Sequence, residues 1–452
     1  MPGYGKENFQ PSSYVLKKVE LFSDKLIDGA SVRLERVVSD IDIYEHIEKS
    51  YLTGYITLLD NAGLFDRIDI TGGERIEISF KRPDSYSKEI SKMFTIQNIE
   101  TSAKVSDQAD IIMFAIVEDI AFTSVSLNVN RSYSGKPFTI IDNILNEYLD
   151  RTLMEENITN QNKIKLIVPN MSPLAACEWV KARAVSTDGL PFYLFSTLVG
   201  DRLHFIDLGS LLTDNSPFRF PYTYSLSMSD YQSSNNQMTE SFNILKYDYK
   251  NTEDLMQLIN LGNVGARHGF YDTFTMKMRD MNFNVNEDVF KPLVNRNQLK
   301  PGQQAYIYSD ELKVKGLPLH EIESETITSI GSSGIYYNGT STDTGLDEEG
   351  STEDYKKRVK AEAIRNFTLK SPITIIVPCM NFIEGIEHLT IGRIINLQFI
   401  SNFIGSDNEP NISIDRKKSG EYLIFSARHM MKKEQYNIGF SCIKLANLPE
   451  NL

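Results

Sequence analysis

The sequence predicts an α+β fold that is mostly β, with a small β-barrel or sandwich unit near each end flanking an α+β module. Three observations lead there. Nearly every segment between Tyr14 and Asn130 reads as strand, two helix-like stripes follow it, and strand-like segments return from Ser371 onward.

Residues 1–13 (MPGYGKENFQPSS) form a polar, flexible N-terminal arm. In 14–130, the first barrel, VLKKVEL, SVRLERVV, SYLTGYITLLD, ERIEISFK, MFTIQNIE and ADIIMFAIVED are rich in β-branched residues and separated by turn residues. Within ERIEISFK, Ile76, Ile78 and Phe80 alternate with Glu77, Ser79 and Lys81, so one face is buried and the other wet. Gly72-Gly73 supplies the preceding tight turn. With no helix expected between these strands, the unit closes as a sandwich or small barrel.

The α+β module spans 131–225. Pro137 suits a first helical position, and Ile141, Ile144, Leu145, Tyr148 and Leu149 fall on one stripe. Ser172 caps and Pro173 begins a second helix, with Cys177, Val180 and Ala184 on one face. LPFYLFSTL and RLHFIDL then form a hairpin through Gly200-Asp201. Residues 226–350 read as a connecting region: an exposed polar patch (229–241), strands in FNILKYDY and YDTFTMKMRDMNFNV, a short helix near 252–261 and a mobile acidic Gly/Ser/Thr-rich loop (328–352). The second barrel covers 351–447. Ser351 with Asp354 resembles a capping box, Tyr355, Val359, Ala363 and Phe367 mark a helical stripe, and SPITIIVPC, GRIINLQFI, PNISID, GEYLIFSAR and YNIGFSCIKL are strands.

Composition narrows the function. The 452 residues carry 60 acidic against 47 basic side chains, a net charge of −13, which disfavours binding a polyanion. Cys177, Cys379 and Cys442 are far apart and form no CxxC, so they read as buried small hydrophobes in a reducing compartment. The N-terminus lacks the order of a signal peptide, and the most apolar stretch (111–122) is broken by Glu118 and Asp119, so no membrane insertion is expected.

Candidate sites are weak. SGKPF (Ser134–Phe138) lacks the first glycine of a P-loop, and His320-Glu321 does not extend to HExxH. Asp347, Glu348 and Glu349 lie in a polar run, and Trp179 reads as helix packing. Lys432-Lys433 and Arg416-Lys417-Lys418 read as solvated hairpin tips. Arg428-His429 suggests a catalytic pair at first sight, but no Ser or Cys nucleophile is near in the sequence, and the pair reads as the lip of a barrel where a strand enters the MMKKEQ turn. No catalytic, cofactor-binding or metal-ligating residue is assigned.

Several blocks, in order, resemble the baseplate central hub proteins of contractile-tailed, T-even-like phages, to which the N-terminal part of VgrG spikes is related. They are SYSGKPFTIIDNILNEYL, PLAACEWVKARAVSTDGLPFYLFSTLVGDRLHFIDLGSLL, GNVGARHGFYDTFTMKMRDM, KAEAIRNFTLKSPITIIVPCMNFIEGIEHLTIGRIINLQFI and SGEYLIFSARHMMKKEQYNIGFSCIKL. Residues 300–350 match nothing in that pattern. The resemblance implies two tail-tube-like barrels per chain, so that a homotrimer imitates a six-fold ring. It would adapt a hexameric tail tube to a trimeric central spike, beside baseplate wedge proteins, with viral DNA passing its lumen without specific binding. The location implied is the virion baseplate, after assembly in the host bacterial cytoplasm. Because the sequence stops at Leu452, a spike is expected as a separate polypeptide. A tail-associated peptidoglycan hydrolase and a receptor- or carbohydrate-binding tail protein are the alternatives.

Overall fold

A computed structural model describes residues 10–23, 31–61, 63, 65, 70–83, 87–106, 109–154, 163–213, 217–218, 220–224, 240–249, 255–273, 276–290, 304–305, 313–331, 357–358, 360–362, 364–365, 373–383, 390–400, 414–415, 418–433, 435–444 and 446–447. The first unit contains β1 (Val15–Phe22), β2 (Ser31–Arg33), β3 (Val38–His46), β4 (Thr53–Asp60), β5 (Arg75–Lys81), β6 (Ile90–Ser106) and β7 (Ala109–Glu118). β3 was not among the expected strands. Asp40 and Asp42 give its sequence a polar look, yet Ile41 and Ile43 alternate with them and point inward. The apolar stretch 111–122 is also not one element, since a helix, α1 (Asp119–Val125), starts where β7 ends.

The module follows with β8 (Ser132–Gly135), α2 (Pro137–Leu149), β9 (Ile164–Ile167), α3 (Pro173–Lys181), β10 (Phe192–Phe195), β11 (His204–Asp207) and α4 (Leu208–Thr213). Both prolines stand at helix starts as expected, though Ser172 makes no side-chain capping bond. Next come β12 (Tyr222–Tyr224), β13 (Lys246–Tyr249), α5 (Leu255–Asn260), β14 (Gly265–Asp272), β15 (Lys277–Asn284), β16 (Gln304–Ala305), β17 (Lys313–Val314), β18 (Leu317–Pro318) and β19 (Glu325–Gly331). The last unit holds β20 (Ile373–Pro378), β21 (Ile394–Phe399), β22 (Gly420–Lys432), β23 (Gln435–Lys444) and β24 (Ala446–Asn447).

Residues 328–331 of the expected mobile loop belong to β19; 332–352 lie outside the described residues, as do Ser351, Asp354, Tyr355, Val359, Ala363 and Phe367. Residues 357–358, 360–362 and 364–365 are helical. Of the polar patch 229–241 only 240–241 are described, and of the arm only 10–13. Those four residues are tied down: the Tyr436 N–H donates to Ser12 O at 2.8 Å, and the Ser12 hydroxyl donates to Asn437 Oδ1 at 2.6 Å.

Two separate barrels are not what the strand pairing gives. β13-β20-β23-β22-β3-β4-β7-β6-β5-β1-β2 run in that order through one sheet of 13 strands, with β21 and β12 attached at β22. All but the β12–β21 pair are antiparallel. The physical reason is the antiparallel pairing of β3 with β22, from Asp40↔Lys432 to His46↔Ser426, which joins the first unit to the last edge to edge. Among the described residues no pairing closes either unit into a barrel. One apolar core accordingly spans both, from Val19 and Ile41 to Ile375 and Phe440. A second core belongs to the module, with Ile141, Leu145, Cys177 and Val180 at its centre.

The β10–β11 hairpin lies between the two cores. Phe192, Leu194 and Phe205 enter the module core, whereas Tyr193, Phe195 and Ile206 enter the core beneath the sheet. This double burial explains the nearly unbroken apolar text of LPFYLF. Gly54 shows how tightly the sheet is built: a Cβ there would meet Asp42 O of β3 at 2.5 Å and Ile116 at 3.3 Å. Gly54→Ala should lower stability by about 1–3 kcal/mol, read as a reduced urea midpoint with an unchanged slope.

Candidate functional site

The seam between β3 and β22 places consecutive residues of one strand on opposite faces. Arg428 stands on the outer face, where Nε and Nη2 each donate to a carboxylate oxygen of Asp42 at 3.1 Å and the guanidinium lies 5.6 Å from the Tyr44 ring centre. His429 turns inward, 2% exposed. Its Nε2 lies 3.1 Å from Glu45 Oε1, and its Nδ1 is 2.7 Å from the Tyr436 hydroxyl. Glu45, itself 1% exposed, accepts the Leu198 N–H at 2.6 Å and the Thr390 hydroxyl.

A carboxylate, an imidazole and a hydroxyl in line have the composition of an acid–base relay. Their setting removes that use: Glu45, His429, Tyr436 and Thr390 are all buried beneath the sheet. Burial pushes the Tyr436 hydroxyl well above its ordinary pKa, so it keeps its proton. Burial alone would also raise Glu45. The charge and contact of His429, with the bonds from Thr390 and Leu198, outweigh it and hold the carboxyl below its ordinary value. Arg428-His429 is therefore not the lip of a barrel. It lies inside β22, which runs on to Lys432, and it fastens the seam.

A second buried charge sits nearby. Lys92 of β6 pairs with Glu118 at 3.0 Å, and Glu118 accepts the Leu52 N–H at 3.0 Å. Lys92 also donates to Gly200 O at 2.6 Å and Thr197 O at 3.3 Å. Glu45 and Lys92 thus grip the same turn of the β10–β11 hairpin from the sheet side. Around the β3–β4 turn, Glu48 contacts Lys181 of α3 at 3.0 Å and Arg365 at 3.1 Å, while Arg365 Nη2 donates to Phe192 O at 3.1 Å. Sequence reading missed Glu45 and Lys92. The available signal was a charge at an inward position of a period-2 strand, Ile41-Ile43-Glu45 and Ile90-Lys92-Phe94.

The other candidates fall elsewhere. Gly135-Lys136 form a strand-to-helix corner between β8 and α2. His320 is buried and Glu321 exposed in a single 3₁₀ turn, Leu319–Glu321. Trp179 packs on the module core with the Arg183 guanidinium 3.7 Å from its ring centre. Lys432 ends β22 and Lys433 turns with a φ of 46°. Lys418 lies 5.6 Å from the Tyr247 ring centre. Asp347, Glu348, Glu349, Arg416 and Lys417 lie outside the described residues. Among the described residues, no three His, Cys, Asp or Glu groups converge as metal ligands, and no helix is long and apolar enough to cross a membrane. The three cysteines are free and buried.

No family model matches the sequence, and no curated protein sequence matches it. In fold, the chain is similar over most of its length to phage tail proteins and VgrG. A tail protein from Neisseria meningitidis MC58 aligns at a TM-score of 0.49 and 12% identity, over 96% of this chain and 97% of that one. The 43 kDa tail protein of prophage MuSo2 from Shewanella oneidensis gives 0.48 and 9%, over 95% and 98%. A chain of the Francisella PdpA–VgrG complex gives 0.43 and 9%, over 99% of this chain and 54% of that one.

The two residues at the seam should behave oppositely. Arg428→Ala, on the half-exposed pair, should cost at most about 1 kcal/mol. Glu45→Gln or His429→Ala strands a buried polar partner and should cost about 3–5 kcal/mol, measured by chemical denaturation. Glu45 should also shape the pH profile. Its folded pKa is depressed, so its contribution is complete above the unfolded value of about 4.3 and is lost as pH falls through the folded one. The melting-temperature gap between wild type and Glu45→Gln should therefore narrow below about pH 4. A gap that stays constant to pH 3 would contradict this.

Proposed function

We propose that this chain is a structural virion protein of a phage tail, a homotrimeric baseplate hub with no chemistry of its own. One observation carries the reading: strands from both ends of the chain share a single sheet, and the α+β module is braced against it by buried charges. That construction suits a stiff wall segment. An enzyme cleft would present its polar groups to solvent, whereas the acid–imidazole–hydroxyl set here is sealed.

In this reading 14–130 and 351–447 are two tube-like domains that become barrel-like in a ring, and 131–225 is the hub domain outside them. Three chains imitate a circle of six. One side of the ring takes the hexameric tail tube and the other the trimeric spike, with baseplate wedge proteins around it. DNA traverses the lumen. The net charge of −13 favours passage over adhesion. On the outer face of the seam, the basic Arg428 and Lys432 are matched by Asp42 and Asp40.

Native mass spectrometry and electron microscopy, with tail-tube protein present, should reveal three-fold rings. A chain that stays monomeric in both would remove the hub reading. A peptidoglycan zymogram should remain uncleared; clearing would favour a tail-borne hydrolase.

A further inference from the structure

Three parts of the chain meet at the turn between β3 and β4. The Ile47 N–H donates to Phe425 O of β22 at 2.9 Å, and Lys49 O accepts the N–H of Ser196, the residue after β10, at 3.3 Å. The Glu48 carboxylate takes Lys181 of α3 and Arg365. One bond inside the turn has a chemical condition attached. The Glu48 N–H donates to His46 Nδ1 at 3.1 Å, so that nitrogen must present a lone pair. The half-buried ring lies edge-on to Phe425, with 5.6 Å between ring centres.

We propose that His46 is an acid-operated latch on this turn: a proton on Nδ1 releases the Glu48 N–H and loosens the hold of the turn on α3 and β10. An imidazolium is a donor at both nitrogens, so protonation sets two N–H groups against each other where one bond now stands. The Glu48 backbone and carboxylate belong to one residue, so a shift of that N–H moves the group that Lys181 and Arg365 hold. Burial does most to keep the imidazole below its ordinary pKa; the Glu48 carboxylate opposes it, and the cations of Lys49 and Lys181 reinforce it. With the folded value depressed, the contribution of the latch is complete above the unfolded value of about 6.5 and is lost as pH falls through the folded one. Glu178 of α3 also touches Lys181, but burial raises its carboxyl, so its titration stabilises the fold in acid and has the opposite sign. β22 brings no charge to the ring, since Phe425 and Ser426 are its residues there. The release is local. Glu45, held below its ordinary pKa, keeps the Leu198 N–H, and both cores stay packed.

The latch belongs to a single chain and does not depend on the hub reading. Hydrogen exchange of the full chain, followed by mass spectrometry and corrected for the intrinsic effect of pH, tests it. Protection of residues 44–52 and 192–197 should fall several-fold between about pH 7.5 and about pH 5. His46→Asn places an amide oxygen near the Nδ1 position, an acceptor at any pH, and should hold its protection constant over that range. Lys49→Gln removes an exposed cation that opposes the proton, and should move the loss toward neutral pH. Wild-type protection that stays constant in acid, a loss that persists in His46→Asn, or a midpoint indifferent to Lys49→Gln would each overturn the latch. Should His46→Asn fail to fold, the wild-type profile and Lys49→Gln still decide.

Discussion

Everything else in this fold depends on the pairing of β3 with β22. Asp42 and Arg428 are 386 positions apart in the chain, and bringing them together is a large loop closure that local structure does not repay. The seam must also form in one register. A slip of β22 by one residue would turn His429 to the surface and bury Arg428. The buried pair is therefore a better device for uniqueness than for stability, since apolar residues of equal volume would hold two strands as well. Outside, the Arg428–Asp42 and Lys432–Asp40 pairs follow that register and contribute little energy of their own.

The same buried acid reaches past the seam. Through the Leu198 N–H, Glu45 attaches the hairpin turn of the module to the sheet, and Lys92 holds the carbonyls of that turn a few residues on. A carboxylate accepts a hydrogen bond from an amide N–H and an ammonium donates to carbonyls, so each charge is answered by the backbone dipole of suitable sign. With β10 and β11 packed on both faces, the sheet and the module cannot move apart without exposing two cores at once.

Much of this was legible in the sequence, and the misses have physical causes. Alternating apolar residues exposed β5, and prolines marked the starts of α2 and α3. β3 escaped because two aspartates and a glutamate sit among its isoleucines, and composition outweighed period. The merging of two β units into one sheet was out of reach for a different reason: an edge-to-edge contact between strands so distant leaves no local pattern. His429 looked functional because an imidazole beside a guanidinium is uncommon, but alternation sends the two to opposite faces, and only the neighbours of each decide its role.

A sheet this long raises a difficulty of its own, because edge strands invite any extended chain. The sequence answers at each edge. β2 is only three residues long, and β13 carries Lys246 and Asp248 in its four. The exposed end of β6, residues 97–106, places Glu100 and Lys104 between Ile99 and Val105, so random stacking would bury charges at a cost. A net charge of −13 keeps copies apart at distance. Edge charges of both signs then act as a filter, since an extended strand that buries them without opposite charges is penalised. A single cost, that of desolvating an unpaired charge, thus guards both β13 and the far end of β6.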